Sequence, residues 1–213
     1  MTDNTDWQSK FQLCEYSDKL LSLIAALNKN VSVPVDILEI KKACHIAREY
    51  HGDQKRKSGD PYYSHPLEVA YLFAKYVAVN APQYYTTELI IVAILHDTLE
   101  DTKLTKDMIS IIFVQEISDK VEDLTRIKFD KKITAAESVD LLFLEHKNDV
   151  LYIKLFDRLH NIRTIGSMDP EKQRSIAEET IFHLVPAAMV LGAKHIQEEL
   201  VMLCSDIIKP SYR

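Results

Sequence analysis

Apolar residues recur at three- and four-residue spacing along nearly the whole chain, the period of a helix with one buried face. Ser17 is placed to cap a short helix ending near Asn28. Pro34 and Asp36 open a second, with Ile37, Ile40, Ala43, Cys44 and Ala47 in step. A polar stretch, HGDQKRKSGDPYYSHP (residues 51–66), interrupts the pattern and reads as a loop. Pro66 suits the first position of a third helix, to about Val79. A fourth runs from Thr86 or Thr87 to Asp101, a fifth from a Thr105 cap to about Val114, and a sixth from Ser118 to Ile127. KFDKK (residues 128–132) is a charged loop before a helix ending near Lys147. Asn148 to Ile165 aligns Leu151, Leu155, Leu159 and Ile162 on one face. Asp169-Pro170 starts a long helix to about Leu191, Gly192 breaks it, and Ala193 to Ile208 is amphipathic. The pattern predicts an all-α bundle of about ten helices. Its main domain is expected over residues 34–192, after an N-terminal helical extension, 1–33. A C-terminal helix and tail, 193–213, would pack on the same domain.

Composition narrows this. The chain has 213 residues, 46% hydrophobic and 27% charged, as a globular protein does. Only four glycines leave little material for the tight turns of an all-β fold. A net charge of −6 argues against broad nucleic-acid binding. No apolar run approaches membrane-spanning length, and the N-terminus lacks a signal-peptide core. Three scattered cysteines, Cys14, Cys44 and Cys204, suit reduced thiols in the cytoplasm.

The chemistry concentrates where the fourth helix ends, in ILHDTLEDT (residues 94–102). Acids are disfavoured at a helix C-terminus, where the dipole is negative. Asp97, Glu100 and Asp101 stand there beside His96 and call for a cation. His65 stands just before a helix start, and Asp157 interrupts an apolar helix, one turn from Asn161. His65, His96, Asp97 and Asp157 are two imidazoles and two carboxylates, a set that can hold a divalent ion with open water positions. Mn²⁺ suits this mixture; Zn²⁺, Fe²⁺ and Mg²⁺ remain open. A bound ion would generate hydroxide near neutral pH, and Glu100 and Asp101 would orient water or move protons. The loop QKRKSGDPYY adds Lys55, Arg56 and Lys57 beside Tyr62 and Tyr63, the elements of a site for a phosphorylated aromatic ligand. Of the other histidines, one of His45 and His51 is expected to pack or cap and the other to be exposed; His160 is expected in the core or hydrogen-bonded to the Asp157 region.

Three ordered blocks, QKRKSGDPYYSHPLEVA, ILHDTLEDT and IKLFDRLHNIRTI, resemble the hydrolase domain of the RelA/SpoT family, a branch of the HD metal-dependent phosphohydrolases. With PEKQRSIAEET and PAAMVLG the likeness covers about Ile40 to Gly192. It implies a helical HD fold, one Mn²⁺ per chain, and hydrolysis of ppGpp or pppGpp to GDP or GTP and pyrophosphate. By motif match His65, His96, Asp97 and Asp157 are the metal ligands, and Glu100 and Asp101 the catalytic acids. Arg56, Lys57 and Asn161 match substrate contacts; Arg48, Lys154 and Arg158 are further candidates for phosphate. Ser138 stands where the family carries asparagine, and AMVLG replaces a charged AHRLG. Alarmone synthesis is not expected, since the likeness is to the hydrolase part of the long family members. Two alternatives stay open: phosphatase action on NADPH at the same site, and a weakly active nucleotide-binding regulator. A homodimer through the C-terminal helices is compatible with their amphipathic pattern.

Overall fold

In a computed structural model, residues 7–128 and 131–209 are described. They are overwhelmingly helical and fall into two compact units, residues 7–56 with 60–125, and residues 57–59 with 126–128 and 131–209.

The first unit is built around α5 (Thr87–Leu95), whose residues from Leu89 to Leu95 are all buried. A helix apolar on every side belongs in a core. It packs against α3 (Ile37–His51), α4 (Ser64–Asn80) and α8 (Gln115–Leu124). α1 (Trp7–Lys10) lies on α3, α2 (Glu15–Leu27) packs on α3 and α4, and α7 (Lys106–Ile112) packs on α8. Local signals place these ends. The Asp36 carboxylate accepts from the backbone N–H of Leu38 and Glu39, the Thr86 hydroxyl from Leu89 and the Thr105 hydroxyl from Met108. Lys42 is buried, yet its ammonium donates to the Ile112 carbonyl at 2.8 Å and so closes the C-terminus of α7.

The second unit centres on α10 (Asn148–Arg163), which packs against α9 (Ala135–Leu144) and α13 (Lys194–Ile208). A Thr134–Glu137 capping box starts α9, and the Asp169 carboxylate caps α11 (Pro170–Glu179). Strands β1 (Ile127–Lys128) and β2 (Lys131–Lys132) pair antiparallel.

Several boundaries differ from the sequence pattern. Ser17 is the third residue of α2, bonded back to its cap Cys14, because the helix begins at Glu15. The loop expected over 128–132 contains the β1–β2 pair; Phe129 and Asp130 lie outside the described residues. The expected helix from 118 to 127 is shifted to 115–124. The long helix expected to follow Pro170 is not uniform. α11 passes into a π-helical turn, Thr180–Leu184, and then α12 (Val185–Val190). Pro186 explains this: a proline lacks the N–H for an α-helical bond and crowds the carbonyl four residues back, and a wider turn relieves both. Gly192 ends α12 at φ +67°, a conformation that glycine tolerates best.

Candidate metal and catalytic site

The fourth predicted helix does not reach Asp101. α5 stops at Leu95, His96 follows, and Asp97 precedes a separate turn, α6 (Thr98–Asp101). Asp97 sits at φ −95° and ψ −8°, the sparsely populated bridge between helix and strand where site residues often stand. The break frees the Leu95 carbonyl, and the buried Thr98 hydroxyl donates to it at 2.6 Å. The Thr102 hydroxyl adds a second bond to the Thr98 carbonyl at 2.8 Å, beside that from the Thr102 N–H at 3.1 Å. The Thr98 hydroxyl thus meets the polar cost of interrupting a buried helix.

The Asp97 carboxylate does not cap the turn that it precedes. It lies between two imidazoles: Oδ1 is 3.2 Å from His96 Nε2 and Oδ2 is 3.4 Å from His65 Nε2. The two rings are 5.1 Å apart, at 71°. Both histidines are at most 3% exposed. His65 is in the first turn of α4, not ahead of it as expected, because the helix starts at Ser64 and Pro66 is its third residue.

The electrostatics of this cluster are specific. His96 Nδ1 is 2.8 Å from the Ala93 carbonyl, which can only accept, so the proton is on Nδ1. In a neutral ring Nε2 then presents a lone pair toward a carboxylate oxygen. Two acceptors 3.2 Å apart repel unless a cation lies between them or on one of them. Such a donor set can suit a divalent ion: nitrogen and oxygen lone pairs converge, and the second ring nitrogen of His96 is hydrogen-bonded to fix the tautomer.

Asp101 joins this cluster through a residue that sequence reasoning did not assign to it. The Tyr62 hydroxyl donates to Asp101 Oδ2 at 2.6 Å and is 3.4 Å from Asp97 Oδ2. Gln54 Nε2 donates to the Asp101 carbonyl at 2.7 Å, and Gln54 Oε1 faces His51 Nδ1 at 2.9 Å. His51 is buried and stacks on Tyr62, ring centres 4.8 Å apart. Burial pushes its pKa below the usual imidazole value; the Gln54 hydrogen bond and the charges of Asp97 and Asp101 offset part of this. His45, the histidine paired with it in the sequence expectation, is half-buried and 3.2 Å from Glu49, so neither is exposed. No periodicity marks Gln54 or Tyr62; their roles come from tertiary contact. Glu100 is half-buried and Asp101 exposed.

The loop from Lys55 to Pro61 is a tight excursion closed by a bridge between its ends, with Arg56 N–H donating to the Asp60 carbonyl at 2.9 Å and Gly59 at φ +95°. Arg56 is half-buried and Lys57 exposed. Arg48 points its guanidinium at Gln12, donating to its carbonyl at 2.9 Å, and lies over the Tyr63 ring.

In the second unit, Asp157, Asn161, Lys154 and Arg158 all belong to α10. Asn161 donates to Asp157 Oδ1 at 2.6 Å, and Lys154 Nζ is 3.7 Å from Oδ2. Arg158 pairs with Glu179 at 2.9 Å. His160 is half-buried. Ser138 is buried on α9, and its hydroxyl makes no hydrogen bond among the described residues.

Comparison with known proteins adds family information to this geometry. Residues 43–184 match a family model described as HD domain. The chain is 42% identical over 177 residues to GTP pyrophosphokinase rsh of Brucella ovis, a match covering 80% of this chain and 23% of that protein. It is 36% identical over 198 residues to the bifunctional (p)ppGpp synthase/hydrolase SpoT of Escherichia coli K12, covering 89% of this chain and 27% of that one. The chain thus spans about a quarter of these relatives. A solved structure described as "A metazoan ortholog of SpoT hydrolyzes ppGpp and plays a role in starvation responses" shares the fold: the TM-score is 0.56 at 19% identity, over 79% of this chain and 93% of that one.

Proposed function

This chain belongs to the HD-domain family, and on that footing we propose that it removes the 3′-pyrophosphate of ppGpp or pppGpp, giving GDP or GTP. The observation that carries the reading is the Asp97 carboxylate set between the Nε2 atoms of two buried histidines, one with its tautomer held by the Ala93 carbonyl. Similarity to proteins named for ppGpp hydrolysis supports the choice of substrate.

His65, His96 and Asp97 would hold the ion, with Asp157 as fourth ligand by motif correspondence. When bound, a divalent cation of this kind lowers the pKa of water and offsets phosphate charge. Manganese is the ion we assign, one per chain. Asp101 and Glu100, on α6, orient the attacking water and take its proton. Arg56 and Lys57 receive the guanine and phosphates, since a guanidinium can fork onto phosphate or lie flat on a base. Asn161 contacts the nucleotide while its amide holds Asp157. Residues 34–192 form the catalytic part, acting in the cytoplasm. No helix of the described residues is long and apolar enough to cross a membrane.

The test is pyrophosphate release from ppGpp by protein stripped of metal and reloaded with Mn²⁺, Zn²⁺ or Mg²⁺. Turnover that is restored best by Mn²⁺ and is absent with NADPH supports the proposal. Metal-loaded protein that leaves ppGpp intact refutes it.

A further inference from the structure

We propose that Tyr62 is a positioning residue for Asp101: its phenol clamps the acid so that Asp97 remains available to the histidines. This rests on the hydrolase reading above. A phenol has one proton to give. At 2.6 Å it is committed to Asp101 Oδ2, within the range of a charge-assisted bond to a carboxylate. Asp97 Oδ2, at 3.4 Å, is left to His65. One hydroxyl thereby separates the tasks of two neighbouring carboxylates, one facing imidazoles and the other held back by an oxygen donor.

The clamp is itself fixed. The His51 ring stacks on Tyr62 at 23° and sets the plane of the phenol. The Asp101 carbonyl can only accept, so the amide nitrogen of Gln54 faces it and Oε1 must face His51, whose Nδ1 then carries the hydrogen. Tyr62 N–H donates to the Gln54 carbonyl at 2.8 Å, lacing the two residues together. Gln54 and Tyr62 are also the two stems of the basic loop. Both end on Asp101, one on its carbonyl and one on its carboxylate. The segment that presents Arg56 is therefore anchored at both sides to a single catalytic acid.

The experiment is Tyr62→Phe, which deletes the hydroxyl and keeps the stacked ring, in the wild-type and Asp101→Ala backgrounds. In the wild-type background kcat on ppGpp is expected to fall roughly 10- to 100-fold, as for loss of a residue supporting a metal site. KM and Mn²⁺ affinity should stay within about twofold, since the aromatic ring and every proposed metal ligand are kept. In the Asp101→Ala background the same substitution should cost less than about twofold. An equal loss in both backgrounds, or a rise in KM alone, overturns the proposal. A second arm needs no substrate: urea unfolding of the four metal-free proteins should show Tyr62 and Asp101 coupled by roughly tenfold in the unfolding constant. Strict additivity overturns the clamp. Failure of the wild-type protein to turn over ppGpp strikes the substrate assignment, while the unfolding cycle still decides the clamp.

Discussion

Two helices of this molecule carry an aspartate after a run of buried residues, and they deliver it by different means. α5 stops at Leu95, and Asp97 stands between two helices with its carboxylate turned to His65 and His96. α10 runs unbroken from Asn148 to Arg163, with Asp157 steadied from within the helix by Asn161 and Lys154. In the first case the backbone changes course, and the Thr98 hydroxyl satisfies the Leu95 carbonyl at the break. In the second no backbone bond is given up, and position depends on two side chains one turn away. A carboxylate placed by the backbone is insensitive to its neighbours' side chains; one placed by neighbours is not.

The largest expected effect is that of Asp97→Ala. Loss of pyrophosphate release by at least about 10³-fold is expected, on the scale of removing an electrostatic keystone. The urea midpoint of the metal-free protein should barely move, since this carboxylate caps nothing. A stability loss of ~1 kcal/mol, the usual cost of deleting an N-cap, would instead make Asp97 structural. Next is Asn161→Ala, which unties Asp157. Metal titration should show affinity reduced roughly 10- to 100-fold; unchanged affinity would mean that α10 holds Asp157 without help and would erase the contrast. Thr98→Val comes third. It leaves the Leu95 carbonyl buried and unsatisfied, and urea unfolding should register a loss of ~1–3 kcal/mol. The smallest effect belongs to Arg163→Ala at the end of α10, where the exposed pair with Glu199 contributes ~0–1 kcal/mol. A loss as large as that at Thr98 would show that α10 also depends on polar repair.

The contrast also explains what could be read from sequence. Leu151, Leu155, Leu159 and Ile162 mark α10 because its period is unbroken, and all four are buried as the pattern requires. The α5–α6 junction hides in the same period. His96, Asp97 and Thr98 are compatible with a continuing helix, and nothing in the period marks the break that the Thr98 hydroxyl repairs. His65 was misplaced by two residues because Pro66 is tolerated throughout the first turn, not just at its first position. The sequence marks His51 and Tyr62 as residues of interest but not their convergence with Gln54 on Asp101, since these contacts join residues up to 47 positions apart. Carboxylates and imidazoles announce themselves by type; the neutral groups that hold them do not.

The wide turn at Thr180–Leu184 has a consequence of its own. Each residue of an α-helix advances the face by about 100°, so an extra residue absorbed there sets the phase of everything downstream. Ala187 and Ala188 are buried in that phase, while Met189 and Val190 are exposed. Deleting a single residue from the turn would not merely shorten the chain: it would rotate α12 about its axis and present a different row of side chains to α13, as a key cut one notch out of register meets the wrong pins.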